Sequence, residues 1–153
     1  MELTEKEVKQ WLNRAYENER IINKDKEELK KLNDLIDTGF GIDYQKPNIQ
    51  SSPKNEAFFE NNVIKLIEAR KSLEEIILKQ YKIKNEIRRA IEKLDDPFER
   101  NVLILRHVYF TPWLKIEEDM CYSRSQCFKI YNKALKNIKK IVKNTWHIIY
   151  RGI

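Results

Sequence analysis

Residues 94–138 read LDDPFERNVLILRHVYFTPWLKIEEDMCYSRSQCFKIYNKALKNI, and the punctuation of this stretch decides the fold. Asp96-Pro97 marks a helix start, with Asp96 as N-cap and Pro97 at the first helical position. A short helix over 97–109 then carries Phe98, Val102, Leu105 and Val108 on one side. Thr111-Pro112 repeats the N-cap and N1 pattern and opens a helix to about Met120, with Trp113 and Ile116 inward. Cys121-Tyr122 is a turn, and Ser123 is a third N-cap. The last helix runs from Arg124 to about Ile149, with Cys127, Ile130, Ala134, Leu135, Ile138 and Val142 as its apolar face. Asp95 and Asp96 are adjacent, which suits a capped turn better than a catalytic carboxylate pair.

A short helix, a tight turn and a second helix that begins Ser-Arg is the plan of a helix-turn-helix. The capping serine fixes where the second helix starts, so its first turn can be aimed. That end presents unpaired backbone N–H groups and the positive end of the helix dipole to phosphate, which puts Ser123 on the DNA backbone. Positions one, two, three and six past the cap point away from the core and reach base edges in a major groove. They are Arg124, Ser125, Gln126 and Lys129. Arg124 is the strongest guanine reader among them, because its fork donates two parallel hydrogen bonds. Lys133, Lys136, Lys139 and Lys140 read either as phosphate contacts or as solvated charge, and Arg100 and Arg106 are candidate backbone clamps. Arg106 has a structural ion pair as its alternative role. Phe128 has two readings: contact with a thymine methyl, or cover for Trp113 or a neighbouring helix.

Upstream, the pattern changes to long helices. Thr4 and Glu7 form a capping box for a helix over 4–37, whose stripe is Val8, Leu12, Ala15, Ile22, Leu29 and Ile36. Glu19, Lys26 and Asn33 interrupt that seam. Residues 38–55, TGFGIDYQKPNIQSSPKN, hold two glycines and two prolines and read as a flexible loop. A second long helix over 56–94 carries Phe59, Val63, Leu66, Leu73, Ile77, Ile87, Ile91 and Leu94, broken by Arg70, Gln80 and Lys84. Matched lengths let the two helices fold back as a coiled-coil-like hairpin, pair between chains, or both. The expected fold is therefore all-α: a two-helix scaffold over 1–94 and a helix-turn-helix domain over 95–153.

Charge follows the same division. Residues 1–96 hold 19 basic and 20 acidic side chains, a net of −1, and residues 97–153 hold 11 and four, a net of +7. The whole net charge of +6 thus lies in the last third, and no acid follows Asp119. Such asymmetry points to a polyanionic partner, with nucleic acid ahead of an anionic membrane. Glycine occurs only at 39, 41 and 152, which excludes glycine-rich phosphate loops. Cys121 and Cys127 form neither a CxxC pair nor a disulfide framework, so a reducing compartment is expected. His107 and His147 cannot by themselves make a metal site. No nucleophile–base–metal set can be assembled, so neither an enzyme nor a cofactor is expected. No apolar run reaches 18 residues. The tail from Lys143 carries Trp146, Ile148, Ile149 and Tyr150, and packing on the hairpin or a partner subunit is expected rather than membrane anchoring.

The stretch 94–138 resembles region 4 of bacterial sigma factors. More narrowly, it resembles the sigma-region-4-like regulators of Gram-positive phages and prophages, the RinA and ArpU-type late activators. The features that carry the likeness are Leu94-Asp95-Asp96-Pro97, Leu105-Arg106, Trp113, Ile116, Tyr122-Ser123, Ile130 and Ala134-Leu135, in ungapped register. The resemblance implies base reading by Arg124, Ser125 and Lys129, activation of late genes and contact with RNA polymerase in the bacterial host cytoplasm. It also implies double-stranded DNA as partner, and the long helices are expected to join copies of the chain into a homo-oligomer. The chain departs from the family at Cys121, where glycine is usual. A positive φ there would cost about 1 kcal/mol. Glu117 replaces a small residue, and Phe110 and Pro112 stand at positions usually small or polar.

Two other functions fit parts of the pattern. A packaging protein of terminase small-subunit type also joins a helix-turn-helix to an oligomerising part, but usually in the reverse order, and ring-shaped particles would mark it. A coiled-coil adaptor without DNA would show no salt-dependent duplex affinity.

Overall fold

The computed structural model describes residues 3–39 and 53–150. Those residues form helices α1 (Glu5–Gly39), α2 (Pro53–Glu92), α3 (Pro97–His107), α4 (Trp113–Met120) and α5 (Arg124–Tyr150), with no strand among them. The expected loop narrows. Thr38 and Gly39 close α1, and Pro53 opens α2 because its fixed φ suits a first helical position. The rest of that loop, residues 40–52, lies outside the described residues, and so do the side chains of Trp146, Ile148, Ile149 and Tyr150, whose packing is expected on the hairpin or a partner subunit.

Two compact units result: residues 1–18 with 80–153, and residues 19–79. The boundary expected at 94/95 falls inside the first of these units. Leu3, Val8, Trp11, Leu12 and Ala15 of the first helical segment share one core with Ile87, Ala90, Ile91 and Leu94, and with Val102, Leu103, Ile116, Ala134, Leu135 and Ile138 of the short helices. The ends of the long helices therefore belong to the C-terminal module rather than to a separate scaffold.

In that first unit the capping box forms as expected. The Thr4 N–H donates to Glu7 Oε2 at 2.6 Å, and the Glu7 N–H donates to Thr4 Oγ1 at 3.3 Å. Those bonds hold the Glu7 carboxyl below its usual pKa, with the backbone bond the larger cause. Gln80, expected to break the seam, instead lies buried in it. It donates from Nε2 to the Ala15 carbonyl at 2.9 Å, and Asn18 Nδ2 donates to its Oε1 at 3.0 Å. Arg14 pairs with Glu86 at 3.1 Å. As the first segment advances from Arg14 to Asn18, its partners retreat from Glu86 to Gln80, the order of an antiparallel pair. A buried amide pair of this kind fixes register, because slippage would strand unpaired polar groups.

The second unit is thinner. Ile22, Asn62 and Leu73 are buried, with Leu29, Leu32, Val63 and Leu66 half-buried. Arg70 donates to Asn33 Oδ1 at 3.4 Å. Phe59 and Ile77, expected on the inner stripe, are exposed. Both stand at the edge of the stripe that Leu66 and Leu73 define, and Ile76 takes the inner position beside Ile77.

Candidate nucleic-acid interface

The site is built from α3, α4 and α5. Asp96 caps α3 through Oδ1, which accepts from the Phe98 N–H at 2.8 Å and the Glu99 N–H at 3.4 Å. Glu99, Val102, Leu103 and His107 face inward. Phe98, expected among them, is exposed and meets Tyr122 edge-on at 5.8 Å. It falls outside the arc of α3 that Glu99, Val102, Leu103 and His107 bury, since each residue turns the helix by about 100°.

The turn to α4 departs from the expected capping. α3 ends at His107, the Tyr109 N–H returns to the Ile104 carbonyl, and Phe110 takes φ 57°. A phenylalanine in the left-handed region costs about 1 kcal/mol or more. Its ring offsets this through an edge contact with Tyr16 at 5.7 Å and the Lys84 ammonium 4.8 Å above it. Thr111 is not the cap of α4. Its N–H donates to the Leu105 carbonyl at 2.8 Å, and its own carbonyl accepts from Arg106 at 3.2 Å. The helix starts one residue later, at Trp113, with Pro112 at the N-cap position and no side-chain cap.

The α4–α5 turn is a Schellman closure. The Tyr122 N–H donates to the Glu117 carbonyl and the Cys121 N–H to the Glu118 carbonyl, both at 3.3 Å. Cys121 sits at φ 56° and ψ 36°, the left-handed position that glycine favours. Cys121→Gly is therefore expected to stabilise the fold by about 1 kcal/mol, read as a higher urea midpoint. An unchanged or lower midpoint would contradict the strain. Ser123 then caps α5, with its Oγ accepting from the Gln126 N–H at 3.3 Å.

Arg124, Ser125, Gln126 and Lys129 are all exposed, while Cys127, Tyr131, Ala134, Leu135, Ile138 and Val142 are buried. The Arg124 side chain is 61% exposed and is held by Glu117, Nε to Oε1 at 2.7 Å. Lys129, Lys133, Lys136, Lys140 and Lys143 advance by steps of four and three, so they share the face opposite the core. They span about 21 Å of helix. Not all are equivalent. Lys133 lies 3.7 Å from the buried carboxylate of Glu99, which also accepts from Asn137 Nδ2 at 3.0 and 2.9 Å. Lys136 and Lys140 line a cleft of about 400 Å³ with Lys139, Lys143, Leu3 and Glu5.

Two expected clamps turn inward instead. Arg100 donates from Nη1 to the Leu94 carbonyl and, at 3.0 Å, to the Asp95 carbonyl, which ties the end of α2 to α3. The Arg106 guanidinium, besides holding Thr111, lies 5.2 Å from the centroid of the Trp113 ring. Both guanidiniums thus donate to backbone carbonyls, and for Arg106 these contacts stand where its alternative role foresaw an ion pair. Phe128, 37% exposed, stacks on Trp113 at 4.3 Å and 29°, which fulfils the covering reading. Glu117, the partner of Arg124, escapes sequence reasoning because the pair closes across the turn. So does His107, buried and hydrogen-bonded to the Tyr131 hydroxyl at 3.1 Å.

Cys121 and Cys127 are free thiols. Among the described residues no three His, Cys, Asp or Glu side chains gather as a metal site. No helix among them is long and apolar enough to cross a membrane. The chain matches no protein-family model, no curated protein and no solved structure.

Proposed function

We propose that this protein is a sequence-specific double-stranded DNA-binding transcription regulator, a late-gene activator of phage or prophage type acting in the bacterial host cytoplasm. α4, the Cys121 turn and α5 serve as a helix-turn-helix of sigma region 4 type. The long helices serve as a coiled-coil-like hairpin that joins copies of the chain, and RNA polymerase is the protein partner of the activator.

One observation carries the reading: a capped helix start whose first turn exposes Arg124, Ser125 and Gln126, continued by an acid-free row of lysines opposite the core. Arg124, Ser125, Gln126 and Lys129 read bases. Ser123, Lys136 and Lys140 meet phosphates, with Lys133 shared between Glu99 and the backbone. Arg100 and Arg106 act as braces for the module rather than as DNA contacts.

Duplex affinity measured by fluorescence anisotropy against salt tests the class. Four to six neutralised phosphates predict a slope of about −3.6 to −5.4 in log affinity against log salt. A flat profile would remove nucleic acid as the partner.

A further inference from the structure

The second unit carries an apolar stripe on the side of α2 that α1 leaves open. Asn62, Leu66, Ala69, Leu73 and Ile76 are buried or half-buried along one side of the helix. Ile64, Ile67, Lys71, Glu74 and Leu78 follow the opposite side at steps of three and four, and all five are exposed. Ile67 and Leu78 are 60% and 63% exposed. Single exposed aliphatics need no explanation, but a heptad-spaced row does.

The charges inside this row say what covers it. Lys71 and Glu74 sit at the middle of the stripe, flanked by Ile67 on one side and Leu78 on the other. A second copy laid antiparallel, with its two-fold axis between residues 72 and 73, sets Ile67 against Leu78 and Lys71 against Glu74, each pair made twice. A parallel copy in register would set Lys71 on Lys71 and Glu74 on Glu74, which repels. The row is thus complementary to itself in one direction only, as a closed two-fold interface requires.

We infer that the Ile64–Leu78 face of α2 is an antiparallel self-association surface, centred on reciprocal Lys71–Glu74 pairs between two copies of this chain. The inference rests on the reading of the chain as an oligomer and names the face and direction by which it forms.

Sedimentation equilibrium of the full chain tests it, with circular dichroism to confirm that each variant is folded. The wild type is expected to dimerise. Lys71→Glu and Glu74→Lys alone should each weaken the dimer at least about tenfold, because each sets like charges face to face twice. An equimolar mixture of the two variants should dimerise as the wild type does, since opposite charges at positions 71 and 74 then meet again, and only across this interface. The double variant K71E/E74K should also recover. A wild-type monomer would overturn the oligomer reading and this face together. A dimer indifferent to both reversals, or a mixture that fails to recover, would overturn the face alone. Duplex affinity, measured separately, reports on DNA reading whatever the outcome.

Discussion

Arg124→Ala is expected to lower affinity for the preferred duplex about five- to 150-fold while leaving non-specific binding nearly intact. The range follows from about 1–3 kcal/mol for a bidentate arginine–guanine contact. The side chain stands at the first residue of α5, where the Ser123 cap holds the helix start. In the free protein its guanidinium is engaged by Glu117 at 2.7 Å. That pair is largely exposed on the arginine side, so giving it up costs about 1 kcal/mol or less. On the proposed reading a guanine contact wins the exchange, with Glu117 holding Arg124 at the start of α5 without locking it. Glu117→Gln should tighten binding severalfold, since it removes a competing acceptor and a negative charge near the DNA. Gel-shift titrations with specific and scrambled duplexes measure both. Arg124→Ala binding both duplexes as the wild type does would remove this residue from the reading set.

Stability is expected to fall by about 2 kcal/mol between pH 7 and pH 5 because of a single residue, His107. Burial, with a smaller contribution from the Arg106 charge, pushes its pKa down to about 3, against 6.5 unperturbed. The folded state therefore holds the ring neutral, stacked beside Tyr131 and hydrogen-bonded to its hydroxyl. The unfolded chain binds a proton below about pH 6.5 and the folded chain does not until about pH 3. The stabilisation is thus complete above pH 6.5 and declines by about 1.4 kcal/mol for each pH unit below it. His107→Gln keeps a polar side chain near Tyr131 and removes the titration. The difference in urea unfolding free energy between wild type and variant should then grow in the variant's favour as the pH falls. Parallel profiles from pH 7 to pH 5 would contradict the assignment. Such acid sensitivity would loosen the module that presents α5, because His107 and Tyr131 join α3 to α5.

Features made by local bonds were legible in the sequence. Asp96, Ser123 and Thr4 act on N–H groups two or three residues away, so residue type and spacing suffice to find them. The inward face of α5 was legible for the same reason, since one helical period decides it. Thr111 had the same local pattern and failed as a cap, because the Leu105 carbonyl and the Arg106 guanidinium claimed its backbone. Gln80 read as an interruption because its partners, Ala15 and Asn18, are more than 60 residues away. Glu99 and Asn137 lie 38 residues apart, and nothing local marks that pair as buried. Arg100 and Arg106 resembled phosphate clamps by charge, but they donate to backbone carbonyls of the α2–α3 and α3–α4 connections. The four base-reading candidates, all in the first turns of one capped helix, are each exposed as expected.

The most direct test of the central claim is selection of bound duplexes from a random DNA pool by this 153-residue chain. An enriched motif containing a guanine whose preference is lost in Arg124→Ala is the predicted result. A pool that stays random through successive rounds, or a motif unchanged by that substitution, would contradict major-groove reading by α5.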